Sequence, residues 1–407
     1  MTLPQVKVEV GFDLTNQPLA PFFRLDDEEQ GVLDNTEYRL AGTLFYDVTD
    51  FVQTFTINRG RSDLLATYPA GECQVDFNNH ARTFDPLYPL SPFAGNIVPR
   101  REIRITSGAS VVYTGWIEDW DLDYQPSGDS VATAKATDAL AILGNIVVNS
   151  FTPVVQKAGA RINAVLDRAE VEWPSTLRDI DTGAIDMGTV TVAADTNALG
   201  YLQNIAQSDP GQVFITADGK FAFRDRRKAP LSAGLVEFGG AGISFDSIQI
   251  MYGSELLFND VTVSRESGST AIAIDEASIN TYGRRTLNIT DMQMNDDADL
   301  VDISLGYASL YSQPEYRIEA MQVSLHSKSS GVQEQLLALE LGDVCKITFT
   351  PNNIGDPIIR YGEIIRLNHT VDPQMYMLEL GFQDTRYAPL VLDDAVFGKL
   401  DVGTLSW

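Results

Sequence analysis

The chain holds two cysteines, Cys73 and Cys345, and three histidines, His80, His326 and His369, among 407 residues. Two thiols so far apart match no C-x-x-C metal or redox spacing, and each reads as a small buried hydrophobe. No histidine has a second at metal-ligand spacing, which leaves the three as turn or strand-face residues. Cations are scarce as well: 29 Lys and Arg stand against 56 Asp and Glu, a formal charge of −27. Phosphate binding needs clustered cations, so this balance argues against affinity for a nucleic acid backbone. The acidic surface either repels DNA or simply keeps the chain soluble. Long apolar runs are also missing. No stretch approaches the roughly 18 apolar residues of a membrane span, and Met1-Thr-Leu-Pro-Gln5 has neither the basic nor the apolar region of a secretory signal. A chain made and kept in a cytosol, with no membrane insertion of its own, is expected.

Catalytic signatures are absent too. There is no Gly-x-Ser-x-Gly elbow, phosphate-binding loop or dinucleotide fingerprint. So many acids offer accidental carboxylate pairs that no one pair argues for glycoside hydrolysis. Asp119, Asp121 and Asp123 start like a calcium loop, but Tyr124 stands where the sharp turn needs Gly, and Ser130 where a bidentate Glu belongs. Alternation on a strand explains these acids better. The expectation is a protein that is not an enzyme, with no cofactor and no bound metal.

What is present is punctuated β structure. With 44% hydrophobic residues the chain is globular, and its length suits roughly two to four domains of about 100–200 residues. Gly60, Gly71 and Gly108 can each supply a positive-φ turn, and Pro69, Pro86 and Pro99 fall between apolar runs. From Trp116 to Tyr124 side chains alternate, which places Trp116, Trp120, Leu122 and Tyr124 on one face and Ile117, Asp119, Asp121 and Asp123 on the other. The acidic run 26–31 reads as a solvated loop.

Between Pro153 and Arg227 the period changes. Ile162, Val165, Leu166 and Ala169 predict one amphipathic helix; Ala198, Leu199, Leu202, Ile205 and Ala206 predict another, capped by Asp195 or Thr196. Two alternating runs across Asp218-Gly219 predict a hairpin from Val213 to Arg224. Past Gly239 strands return, including Leu257 to Arg265. An acidic helix from near Asn295 should carry Val301, Leu305 and Ala308 on one side until Pro314 stops it. Alternating strands from Arg317 to Leu325, Leu341 to Phe349, Gly362 to His369 and Tyr376 to Phe382 then make a small antiparallel barrel or sandwich. The fold class is mainly β with α+β insertions, in four parts: 1–149, 150–232, 233–315 and 316–407.

The order Arg59-Gly-Arg61, Phe84-Asp-Pro86, Tyr113-Thr-Gly-Trp116, Ala198 to Gln203, Phe223-Arg-Asp225 and Ser278 to Arg285 resembles the tail hub, or minor tail, proteins of long-tailed bacteriophages. These are related in fold to the baseplate hubs of contractile tails. The resemblance implies two tail-tube-like β-barrel or sandwich domains, the first and the last, in a structural virion protein. It implies a homotrimer at the tail tip that joins a six-fold tube to a three-fold tip. Such a hub encloses the tape-measure protein, contacts the tail tube or distal tail protein, carries tip fibres or receptor-binding proteins, and gates DNA that passes without specific binding. Assembly would occur in the host cytoplasm. The rival reading is a peripheral receptor- or carbohydrate-binding protein of the tail tip.

Candidate contacts follow from charge. Arg59, Arg61, Arg100, Arg101 and Arg104 form the most basic region of the first part, and Arg224, Arg226, Arg227 and Lys228 a second cluster. Both are either solvated strand ends or arginines that pair with a neighbouring subunit's carboxylates. Near the C-terminus, Phe397, Leu400 and Trp407 should dock on their own chain or on a neighbour.

Overall fold

The computed structural model describes residues 3–12, 44–63, 65–225, 235–266 and 268–384. The acidic run 26–31, the basic residues Arg226, Arg227 and Lys228, and the apolar Phe397, Leu400 and Trp407 lie outside these residues.

Strand parity builds the first unit. In Glu72–Asn78, Cys73, Val75 and Phe77 are buried while the residues between them are half-buried or exposed. The neighbouring Val131–Thr137 strand answers with alanine only: Ala136, Ala134 and Ala132 stand opposite Cys73, Val75 and Phe77. Small residues facing large ones leave depth for aromatic stacking, and Phe77, Phe84 and Trp120 form a stacked group with centroids 4.5 to 6.1 Å apart.

The longest strand of this unit, Ser110–Asp123, departs from simple alternation. Its ladder with Val131–Thr137 shifts register between Ile117 and Asp119, so a β-bulge at Glu118 switches the inward face. Ile117 is buried, and on the far side of the bulge Trp120 and Leu122 take the inward positions, half-buried, while Asp119, Asp121 and Asp123 are exposed. Ile117 therefore does not share a face with the aspartates, nor Trp116 with Trp120. One extra residue inverts the parity that a sequence pattern assumes.

The strands of the two chain ends run into one sheet of 13 strands. Val52–Gly60 from the first unit pairs antiparallel with Ile358–Val371 from the last, from Arg366 opposite Gly60 to Val371 opposite Phe55. Glu315–Ser324, Tyr376–Asp384, Ile358–Val371 and Val344–Phe349 lie side by side and antiparallel, a Greek-key order in which the first strand of the unit pairs with its last. Val236–Phe238 and Ser247–Gly253 join it by pairing with Val344–Phe349 and Glu315–Ser324. The fold is mainly β, with the α+β parts inserted between the two ends.

Of the insertions, the first packs helices Ala158–Leu166 and Ala198–Ser208 with a sheet ordered 178–180, 221–224, 212–215. The hairpin across Asp218-Gly219 forms as expected. The second helix is capped by Asn197, whose side chain accepts from the Gly200 N–H at 2.8 Å, rather than by Asp195 or Thr196. Ala169 falls past the end of the first helix, which stops at Asp167, and is exposed. The second insertion is a three-stranded sheet ordered 270–274, 260–265, 286–292 with helix Asp297–Tyr311 on one face. That helix buries Leu300, Ile303, Tyr307 and Tyr311 along with Ala308, whereas Val301 and Leu305 are 48% and 56% exposed. Its apolar residues wrap most of the circumference, so the sequence period alone could not select the inward stripe.

Candidate functional site

Of the residues that carry the resemblance, Arg59-Gly-Arg61 falls at a joint between units. Arg59 follows Phe55 and Ile57 at alternate positions on Val52–Gly60, so strand parity points all three to the same interior. It is 4% exposed. Its Nη2 donates to the Ile215 carbonyl at 2.7 Å and to Glu340 Oε1 at 2.7 Å. The other oxygen of Glu340 accepts from the Ala217 N–H at 2.7 Å. One ion pair, its arginine buried and its glutamate partly exposed, thus ties the first strand system, the hairpin of the α+β insertion and the last unit. Gly60 permits the approach: with φ of +118° and an added Cβ only 2.2 Å from the Ile365 carbonyl oxygen, no other residue fits there.

Arg61 enters a second network two residues on. Its Nη1 donates to the Ala66 carbonyl at 3.2 Å, its Nη2 to Gln383 Oε1 at 3.0 Å, and its guanidinium lies 4.9 Å from the centroid of the Tyr68 ring. The Tyr68 hydroxyl donates to Gln212 Oε1 at 2.7 Å. Gln212 and Gln383 then donate to the two oxygens of Glu363, at 2.6 and 2.7 Å. The ring of contacts closes across the same three units. Burial keeps the Tyr68 phenol protonated far beyond its usual range, so the group acts here as a donor throughout the physiological range.

Arg59 and Arg61, expected as candidates for a neighbouring subunit, are thereby committed to partners within their own chain. Arg100 and Arg101 stand elsewhere. Arg100, in the left-handed region at φ +67°, pairs with Glu118 at 2.5 Å and is half-exposed; Arg101 holds Asn96 Oδ1 at 3.0 Å. Arg104 pairs with Glu9 at 3.0 Å, and Arg224 with Asp179 at 2.6 Å. Among the described residues, these arginines are taken up by separate partners instead of forming one patch.

Gly71, expected as a positive-φ turn, acts by close approach: an added Cβ would sit 2.8 Å from Asp138 Oδ2. Asp138 accepts from the Gly71 N–H at 2.7 Å and the Leu140 N–H at 2.9 Å, capping helix Ala139–Gly144. Burial nevertheless pushes its carboxyl up to about 6, against the lowering effect of those two donors and of Arg59. His369, opposite Ile57 in the joining ladder, contacts the Tyr376 hydroxyl at 3.1 Å through Nδ1. Burial, and then the Arg59 charge, lower its pKa to about 3. It is a neutral core imidazole. Both cysteines are buried free thiols, and burial raises each well beyond the ordinary thiol range.

Asn259 and the segment 278–285 prove to be two halves of one knot. Asn259 is fully buried. Its Nδ2 donates to Ser278 Oγ at 3.0 Å and to the Gly283 carbonyl at 2.8 Å, while its Oδ1 accepts from the Arg285 N–H at 2.8 Å. Ser278 Oγ passes the chain on to the Ser312 carbonyl. Sequence reading marked both halves without the contact between them. The partners Glu340, Gln212, Glu363 and Gln383 were missed altogether, since no local pattern distinguishes them from solvated polar residues.

No known family model matches the chain, and no curated protein matches it in sequence. Solved structures do. It is similar to the 43 kDa tail protein of prophage MuSo2 from Shewanella oneidensis, with 12% identity over 95% of this chain and 98% of that one, at a TM-score of 0.59. It is similar to the tail protein from Neisseria meningitidis MC58, with 12% identity over 94% and 99% of the two chains, also at 0.59. The matches span both chains nearly end to end, and the fold of this protein is that of these tail proteins.

Proposed function

We propose that the chain is a structural tail hub of a long-tailed phage. Three copies would place two β units each around a channel, six units in all, and so match a six-fold tube to a three-fold tip through closed interfaces. The observation that supports this most directly is the fusion of the first and last units by the Val52–Gly60 and Ile358–Val371 ladder. An adaptor that passes load from tube to tip gains from two ring elements that cannot separate, and the Arg59 and Arg61 networks lock that joint.

On this reading the hub sits at the virion tail tip after assembly in the host cytoplasm. It surrounds the tape-measure protein, abuts the tube or distal tail protein, carries fibres or receptor-binding proteins, and gates the exit of DNA that it does not bind. Its part is structural and not enzymatic. For subunit contacts this reading uses Arg100, which is half-exposed, and its neighbour Arg101, together with Arg226, Arg227, Phe397 and Trp407. For division into parts, 236–253 groups better with 315–384 than with the three-stranded sheet between them.

Native mass spectrometry of the purified chain, with negative-stain averaging of tips assembled with tube and tape-measure proteins, tests the proposal. A trimer with a central opening and a six-lobed outline supports it. Tips that assemble without this chain in the ring, or with it as a peripheral monomer, would sink the hub reading.

A further inference from the structure

Thr270–Ile274 is an outer strand of the three-stranded sheet, and among the described residues it pairs only with Asp260–Arg265. Bonds from the Arg265 N–H to the Ser269 carbonyl at 3.1 Å and from the Asp275 N–H to the Asn259 carbonyl at 3.0 Å fix the phase of that ladder. Antiparallel strands bond at every second pair. Ala271 and Ala273 therefore bond to Val263 and Val261, and the N–H and C=O groups of Thr270, Ile272 and Ile274 point to the free edge. Side chains alternate with the same period. Ala271 and Ala273 are buried under helix Asp297–Tyr311, whereas Thr270 is exposed and Ile272 and Ile274 are 62% and 45% exposed. Open edges are ordinarily blunted by a charge, a proline or a bulge. The run from Ser269 to Ile274 has none of the three, on a chain with 56 acids.

The helix supplies a second wall. Asp297 accepts from Ser269 Oγ at 2.6 Å and pairs with Arg265 at 2.7 Å, which places this flank of the helix at the start of the outer strand. Val301 and Leu305 follow Asp297 at four-residue steps along the same flank, both exposed. Such steps rise about 6 Å, close to the roughly 6.6 Å between alternate residues of a strand. A strand added at the edge would set one row of side chains against Val301 and Leu305, and the other row beside Ile272 and Ile274.

Charge selects the occupant. Glu266, Asp296 and Asp297 stand at one end of the edge, Asp275 and Glu276 at the other. The nearest cations, Arg265 and Arg284, are taken by Asp297 and Asp260. Antiparallel pairing with a second copy of the same strand would bring acids against acids at both ends. A segment with cations at its ends is matched instead.

We propose that the free edge of Thr270–Ile274 docks one extended segment of a partner protein, apolar on both faces and flanked by Lys or Arg, which joins the sheet as a fourth strand. The inference uses the geometry of one copy and stands whether or not the chain is a hub.

The test is fluorescence anisotropy of the full chain with the labelled peptide Lys-Lys-Val-Thr-Val-Ile-Val-Thr-Lys-Lys, and with the same peptide carrying Glu in place of its four Lys. Expected is saturable binding of the Lys peptide, about tenfold or more tighter than the Glu peptide, with slowed amide exchange across 270–274. Ile272→Pro removes an N–H that the ladder to Asp260–Arg265 does not use, and should abolish binding. Ile272→Lys, which leaves the backbone unchanged, should abolish it too, and Leu305→Lys should weaken it about tenfold; circular dichroism checks that each variant is folded. No saturable binding of the Lys peptide, or binding unmoved by the Ile272 variants, would overturn the site. Equal binding of both peptides would overturn the cationic flanks. Self-association of the parent that Ile272→Lys abolishes would make a second copy the occupant and overturn the partner named.

Discussion

Arg59 and Glu340, 281 positions apart in sequence, meet at 2.7 Å in an ion pair whose arginine side chain is 3% exposed. The pair gathers its remaining hydrogen bonds from the Ile215 carbonyl and the Ala217 and Leu341 N–H groups. Three parts of the chain depend on two side chains.

Removing one partner should therefore be much worse than weakening the other. Arg59→Met removes the buried cation from a partly exposed Glu340 and the donor from the Ile215 carbonyl, and should destabilise by about 3 kcal/mol. Glu340→Gln keeps an acceptor for Arg59 and should cost about 1–2 kcal/mol. Urea unfolding of both variants checks this; two equal losses, or an Arg59 variant within error of the parent, would contradict it.

Much of this joint was within reach of the sequence, and part of it was not. Phe55, Ile57 and Arg59 share strand parity, which already argues that Arg59 points inward with two core residues. Charge suggested surface, and parity was the better guide. The hairpin at Asp218-Gly219 and the buried cysteines were legible because turn chemistry and small apolar character are local properties. The identity of the strand beside Val52–Gly60 was not legible. Partner choice across some three hundred residues is decided by whole units, and no local pattern encodes it. The bulge at Glu118 and the inward stripe of Asp297–Tyr311 failed for a related reason: one inserted residue, or one extra apolar face, makes the period ambiguous.

Gly60→Ala should reproduce the loss of the joint without touching charge. An alanine there is strained at φ +118° and drives its methyl into the Ile365 carbonyl. The expected cost is about 2–4 kcal/mol, with faster amide exchange along Ile358–Val371 than in the Ser110–Asp123 strand. Uniform exchange changes in both strands would mean that the site is no special joint.

Asn259→Ala tests the knot between the three-stranded sheet and the segment 278–285. The change empties the fully buried amide site and removes its bonds to Ser278 Oγ, which keeps the Ser312 carbonyl, and to the Gly283 carbonyl and Arg285 N–H of two exposed residues, and should destabilise by about 1–3 kcal/mol. Limited proteolysis should then cut first between 276 and 286. Cleavage elsewhere, with this segment still protected, would show that the amide is dispensable.

Acid should act on the joint through two groups with opposite signs. His369 has its pKa lowered to about 3 by burial and by Arg59, so below about 6.5 the unfolded chain takes up a proton that the folded chain refuses. Its contribution to stability is complete at neutral pH and is lost as the pH falls from 6.5 toward 3, by about 3 kcal/mol near pH 4.5. Asp138 has its pKa raised to about 6 by burial, so in the window above 3.8 the folded chain keeps a proton that the unfolded chain has released. Its contribution is present at low pH and is lost as the pH rises through 6, a gain of about 2 kcal/mol near pH 4.5 relative to neutral. In the parent the two largely cancel. His369→Phe should therefore make the protein gain stability on going from pH 7 to 4.5 relative to the parent, and Asp138→Asn should make it lose stability over the same interval. Denaturant unfolding at the two pH values separates them. If both variants keep the parent's pH dependence, neither group titrates as its burial requires.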